Sequence, residues 1–300
     1  MEKLLRGFCL EHRISVLWNS PLSDHTSFRI GGPADAFLLP DTEGMLLSLL
    51  AFLREHEIPF RVIGNGTNLL FSDEGFRGAV ISTRHMRQVT FVGETVRAAS
   101  GVPIGILCRM LADRSLGGLA PLYGIPGSVG GAVVMNAGAF GSEISDYITY
   151  VSVYHAPSGR VETLTREKMH FAYRSSVLKE DKDKTVLSAE FSFPHEDSDK
   201  IREKMRQVLM RRMQTQPTAL PCAGSTFLKP KEGYAAAWIE KAGLSGLRVG
   251  GAAVSLKHAG FVVNLGGATA EDVKALIAEI KETVKRRFDI DLIPEIEYIC

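Results

Sequence analysis

Two glycine-rich runs hold the residues best suited to chemistry in this chain. The first is Ile63-Gly64-Asn65-Gly66-Thr67-Asn68-Leu69-Leu70, directly after an apolar strand pattern. Its glycines let the backbone turn with N–H groups exposed, and Thr67 and Asn68 add short polar donors, a nest suited to a pyrophosphate. A dinucleotide fingerprint needs a third glycine where Leu69 stands, and a P-loop needs a Gly-Lys-Ser/Thr that is absent. On spacing alone, a nucleotide loop and an Asn-Gly hairpin turn are equally good readings. The second run carries Gly124, Ile125, Pro126 and Gly127, then Ser128-Val129-Gly130-Gly131, and ends on Asn136-Ala137-Gly138. It reads as a turn feeding a short helix, Ser128 to Met135, whose N-terminus offers unpaired N–H groups and a positive dipole. Its crowded glycines favour a flat or bulky ligand against the backbone over a close-packed helix that needs only small residues. No lysine or Mg-binding carboxylate stands beside either run, so the pair points to a bound dinucleotide rather than to phosphoryl transfer.

Other candidates are weaker on residue type alone. Arg174 could pair bidentately with a carboxylate, but a surface ion pair with Glu180 or Asp181 is the commoner use. Glu295 follows Pro294 in an edge-like segment, where Glu297 would be its equal on the same face. Ser225 after Gly224 is most often a turn or cap serine. His25, His155, His170 and His258 have no ligand spacing, so no metal is expected. Cys222 has no partner at redox spacing, and Cys9, Cys108, Cys222 and Cys300 form no disulfide framework.

The elements that must position these residues are mixed α and β. Ala34 to Leu39, a helix capped by Asp41 or Thr42 and running to about His56, and Phe60 to Ile63 read as a βαβ crossover. Ala79 to Ile81 is a strand, Val89 to Ala99 a hairpin around Gly93-Glu94, and Pro103 the first residue of a helix. Strands are expected at Ile148 to Tyr154, Val161 to Leu164 and Thr185 to Phe193, and a helix from Ser198 to Met213. The two prolines of Gln214 to Pro221 mark a domain boundary. Beyond it come a helix (Tyr234 to Ala242), two strands (Leu247 to Ser255, Gly260 to Leu265), a helix (Thr269 to Phe288) and a final strand, Leu292 to Ile299. The 300 residues suggest two or three domains, and 35 basic against 34 acidic side chains advertise no nucleic acid or anionic membrane. No apolar run is long enough to span a bilayer, and no signal peptide is evident.

At the glycine runs the sequence resembles a known family. His25-Thr26-Ser27-Phe28-Arg29-Ile30-Gly31-Gly32-Pro33-Ala34-Asp35, the Gly64 to Leu70 loop, Gly124 to Asn136, Phe171-Ala172-Tyr173-Arg174-Ser175-Ser176, Ala223-Gly224-Ser225-Thr226-Phe227 and Pro294-Glu295 occur in order. Together they resemble the MurB family, the UDP-N-acetylenolpyruvoylglucosamine reductases of peptidoglycan synthesis. Ser176 to Thr185 leaves no room for the extra tyrosine loop of one branch, so the shorter type is implied.

The resemblance implies an α+β chain: a two-subdomain FAD-binding fold of the vanillyl-alcohol-oxidase-like (PCMH) type plus a C-terminal α/β substrate domain. The expected division is 1–78 with the returning strand 290–300, 79–213, and 214–289. It implies non-covalent FAD, NADPH as hydride donor, and reduction of UDP-N-acetylglucosamine enolpyruvate to UDP-N-acetylmuramate. Ser225, Arg174 and Glu295 would be catalytic. Gly64, Asn65, Gly66, Thr67, Asn68, Leu69, Gly124, Ile125, Pro126, Gly127, Val129, Gly130, Gly131, Asn136, Ala137 and Gly138 would hold the cofactor. Arg174, Lys229, Lys257 and His258 would face the nucleotide-sugar substrate. A cytoplasmic monomer is expected, with no nucleic acid or membrane partner. The alternatives are a flavin-dependent alcohol oxidase of the same fold and a non-catalytic nucleotide-binding module.

Overall fold

The computed structural model describes residues 1–300. The N-terminal elements are α1 (Glu2–Glu11), β1 (Ser15–Pro21), β2 (Pro33–Leu39), α2 (Glu43–Glu55), β3 (Phe60–Ile63), β4 (Leu69–Phe71) and β5 (Phe76–Ser82). The hairpin β6 (Val89–Val92) and β7 (Thr95–Ala99) follows, then α3 (Ile104–Ala112), α4 (Val129–Val134) and the small pair β8 (Gly138–Ala139) and β9 (Ser142–Glu143). Next are β10 (Ile148–His155), β11 (Arg160–Thr165), α5 (Val177–Glu180), β12 (Lys184–Ser192) and α6 (Ser198–Thr215). The chain ends with α7 (Ala235–Lys241), β13 (Arg248–Val249), β14 (Ala252–Val254), β15 (Val262–Asn264), α8 (Ala270–Phe288) and β16 (Glu297–Ile299).

These elements form two compact units. The first comprises Met1–Trp18, Ala36–Asn65 and Gly78–Met210; the second comprises Asn19–Asp35, Gly66–Arg77 and Arg211–Cys300. One sheet runs β1-β2-β5-β3, with β3 parallel to β5. The other large sheet, β11-β10-β12-β7-β6, is antiparallel throughout and lies in the first unit.

The core of the first unit follows from helical spacing. Thr42 caps α2 by accepting from the Met45 N–H, and Leu46, Leu49, Leu50 and Leu53 then fall on one face. All four are buried with Leu5 of α1, Ile81 of β5, Leu107 of α3 and Val133 of α4. Truncating any one to alanine would cost roughly 2–5 kcal/mol.

The second unit is organised by α8. Thr269 and Asp272 form a capping box at its start. Asp73 adds a cap from elsewhere in the chain, its carboxylate accepting from the Ala270 N–H (2.8 Å) and the Glu271 N–H (3.2 Å). The stripe Val273, Leu276, Ile280 and Val284 packs with Ile239, Val254, Phe28 and Leu70.

The sequence reading and the structure differ at definable points. The Asn-Gly hairpin alternative fails, because β3 pairs with β5 while β4 pairs in parallel with β16. The expected strand Leu247 to Ser255 is a hairpin of two short strands, turned where Gly250 adopts φ +52°. The final strand is only Glu297–Ile299; upstream of it Pro294 bridges Phe227 instead. Pro103 is the N-cap of α3 rather than its first residue. The helix α1 and strand β1 had no counterpart in the sequence reading.

Candidate active site

In the first unit, Gly64 and Asn65 of the first glycine run meet the second run. Ser82 Oγ donates to the Gly64 carbonyl (3.0 Å), and Asn65 Nδ2 donates to the Pro126 carbonyl (2.9 Å). A Cβ on Gly64 would lie 2.2 Å from Ser128 Oγ, so only glycine allows this approach. None of the amides of Asn65, Gly66, Thr67 and Asn68 donates to a backbone carbonyl, which leaves a row of donors of the kind an anion takes.

The start of α4 behaves otherwise than its sequence suggests. The Val129 N–H donates to the Val102 carbonyl and the Gly130 N–H to the Ser100 carbonyl (2.8 Å each). Ser128 Oγ accepts from the Gly131 N–H. The helix therefore presents no unpaired amide over its first three residues. Gly130 is also a packing glycine, its would-be Cβ 2.8 Å from Ser100 Cβ. Gly124 and Gly131 are exposed, and a Cβ on Gly131 would meet nothing nearer than Ser128 Oγ at 3.7 Å. This part of the run offers open backbone surface rather than anion donors. Free amides on the first run suit a charged diphosphate, and bare backbone on the second suits a flat ring.

Asn136 is wholly buried, and its side chain is engaged within the protein. Nδ2 donates to Glu143 Oε2 (2.7 Å) and to the Ala172 carbonyl (3.0 Å), and Oδ1 accepts from the Ser145 N–H. Its part is to tie the second run to the Arg174 loop. That loop closes by reciprocal bonds between Ala172 and Ser175 (3.0 Å each). Arg174 sits at its tip with φ +53°, half-buried, and Nη2 donates to the Gly138 carbonyl (2.7 Å). Asp181, one of the acids considered as its surface partner, is paired with Lys184 (2.9 Å).

In the second unit, Ser225 and Glu295 come together. The Glu295 N–H donates to the Thr226 carbonyl (2.8 Å), and Phe227 bridges Pro294. Ser225 is exposed, with Oγ no closer than 3.4 Å to its acceptor, the Phe227 carbonyl. Thr226, which the sequence reading passed over, is buried and holds Ser225 from the other side. Its N–H donates to the Gly260 carbonyl, and its Oγ1 accepts from the Val262 N–H. A β-branched residue between a candidate serine and a phenylalanine was the available signal.

His258 turns Nδ1 toward the Gly260 N–H (3.2 Å) and lies edge-on to Phe261. Burial holds its imidazole below the usual histidine range. Lys257 Nζ donates to the Met213 carbonyl. Lys229 lies 4.8 Å from the Tyr234 ring centre, a cation–π arrangement. Burial pushes the Cys222 thiol up, which makes it a poor nucleophile.

Known proteins resemble this chain over nearly its whole length. Residues 216–299 match the family model described as UDP-N-acetylenolpyruvoylglucosamine reductase, C-terminal domain, and residues 34–165 match the FAD binding domain model. The chain is 42% identical over 281 residues to the UDP-N-acetylenolpyruvoylglucosamine reductase of Caldanaerobacter subterraneus, covering 94% of this chain and 92% of that protein. It is 39% identical over 300 residues to that of Bacillus subtilis, covering 100% and 99%. The crystal structure of the Thermus caldophilus reductase superposes with a TM-score of 0.80 at 33% identity, covering 96% of this chain and 99% of that one.

Proposed function

Because the chain belongs to the UDP-N-acetylenolpyruvoylglucosamine reductase family, we propose a role in that reaction for each of the residues described above. The activity itself is the family's. The protein is an FAD oxidoreductase of peptidoglycan synthesis that reduces UDP-N-acetylglucosamine enolpyruvate to UDP-N-acetylmuramate. FAD held by these residues would supply the hydride transfer from NADPH to the vinyl group of the substrate. The oxidase and non-catalytic alternatives fall with family membership.

The amides of Asn65 to Asn68 would suit the diphosphate of the cofactor, and the exposed backbone at Gly124 and Gly131 would suit its flat parts. Arg174, oriented by the bond from Nη2 to the Gly138 carbonyl, pairs with the substrate carboxylate. Charge gathers on that carboxylate as the double bond is reduced, so the pairing strengthens along the reaction. Ser225 gives the completing proton to the carbon that bears the ether oxygen, and Glu295 orients it. A hydroxyl is a weak acid, but an enediolate is a strong base, so fixed geometry makes the transfer feasible. Lys229, Lys257 and His258 face the uridine diphosphate of the substrate.

We further propose the division 1–78 with 290–300, 79–213, and 214–289 as two cofactor subdomains and a substrate domain, in a cytoplasmic monomer. No helix is long and apolar enough to cross a membrane.

The observation that carries the catalytic assignment is the exposed Ser225 hydroxyl on the segment bonded to Glu295. Anaerobic stopped-flow separates the two halves of the turnover. Ser225→Ala should leave reduction by NADPH near normal and slow reoxidation by the enolpyruvyl substrate by about 10²- to 10⁴-fold, the range of a positioned general acid. Ser225→Cys should keep part of the activity. Reoxidation at the parental rate in the alanine variant would remove Ser225 as donor.

A further inference from the structure

We infer that Asn68 is a positioning residue for Glu295 and Ser225, its side chain serving the reacting edge of the second unit rather than the cofactor. The inference rests on the roles given above to those two residues.

Asn68 ends the first glycine run, immediately before β4. Two bonds join it to the returning C-terminal segment. Its backbone carbonyl accepts from the Glu297 N–H (3.0 Å), and its side-chain Nδ2 donates to the Glu295 carbonyl (3.1 Å). The Glu295 N–H donates in turn to the Thr226 carbonyl (2.8 Å), and the Thr226 N–H to the Gly260 carbonyl (2.8 Å). Four segments are thus laced side by side, and Asn68 closes the last of them.

Both polar groups of the Glu295 backbone are thereby fixed, the N–H by Thr226 and the C=O by Asn68. Holding both sets the direction of the Glu295 side chain and, through Thr226, of Ser225. A regular strand would supply this from backbone alone. Here the Asn68 backbone N–H makes no bond to a backbone carbonyl, and its side-chain amide donates to the Glu295 carbonyl instead. The residue needs a donor at the reach of an amide. Aspartate has the shape but would set an oxygen against the Glu295 carbonyl, and serine is too short.

The test is stopped-flow on Asn68→Asp and Asn68→Ser beside Glu295→Gln and the double variant Asn68→Asp/Glu295→Gln. Misplacement of about 1 Å can cost on the order of 10²-fold in rate. Reoxidation by substrate should fall by that order in Asn68→Asp, with reduction by NADPH slowed far less and the substrate dissociation constant little moved. The double variant should be no slower than the slower single one, because the two changes disable one arrangement. Asn68→Ser should lie between parent and Asn68→Asp, and it gives the same reading if the aspartate variant does not fold. Equal slowing of both half-reactions, or loosened FAD with normal reoxidation, would overturn the inference and make Asn68 a cofactor ligand. If Glu295→Gln reoxidises at the parental rate, it is the role of Glu295 that fails. If Glu295→Gln is slow and both Asn68 variants are normal, the positioning role alone fails.

Discussion

Arg174 stands at φ +53°, a conformation that a non-glycine residue adopts at a cost of about 1–2 kcal/mol. Asn136 Nδ2 donates to the Ala172 carbonyl and Ser176 Oγ donates to the Val134 carbonyl, and these two bonds hold the loop there. Arg174→Lys keeps the charge but loses the planar fork. It should slow reoxidation by the enolpyruvyl substrate more than reduction by NADPH, and equal slowing would exclude a carboxylate-binding role. His258 gives a second test through stability. Its pKa is lowered by burial, so the unfolded chain binds its proton more readily than the folded one. The resulting penalty is absent well above the unfolded value of about 6.5 and grows as pH falls through it. His258→Gln should therefore flatten the fall in urea-unfolding stability between about pH 7 and 5. At this scale the family motif, not residue type, singled out Arg174, Ser225 and Glu295. Nothing in their spacing shows that Thr226 or Asn68 laces them together, because those bonds join residues more than thirty positions apart.

The elements divide according to how local their causes are. Helix α2 was legible from Thr42 and its leucine stripe, and the β6–β7 hairpin from Gly93-Glu94, because caps and turns act within a few residues. The unpaired helix end expected at Ser128 was not, since Val102 and Ser100 take its amides from a segment nearly thirty residues away. Helix α1 escaped because only Leu5 and Cys9 on it are buried, too few to set a visible period. Two substitutions test this scale. Gly64→Ala drives a Cβ onto Ser128 Oγ; it should destabilise by about 1–3 kcal/mol and lower the FAD content of the purified protein. Asp73→Ala removes two bonds from the start of α8 and should cost roughly 0.5–2 kcal/mol in urea unfolding, with FAD content read in parallel.

For the molecule as a whole, neither glycine run contains a histidine or cysteine to which a flavin ring could be joined. Acid precipitation should release all the flavin to the supernatant, and flavin left on the pellet would disprove non-covalent binding. Adding FAD to protein stripped of it should raise the melting temperature with FAD concentration, as for any ligand of the folded state.

The two units are assembled from alternating lengths of chain, and this governs the order in which they can form on the ribosome. Phe28 and Leu70 are made early, yet the residues that enclose them, from Ala223 to Leu292, are made last. At about 5–20 residues per second, the early apolar side chains wait on the order of ten seconds or more before their core exists. The first unit has no such wait beyond Met210. A nascent chain stalled near that point would carry a nearly complete first unit with Phe28 and Leu70 still uncovered, which makes those segments natural holding sites for a chaperone during synthesis.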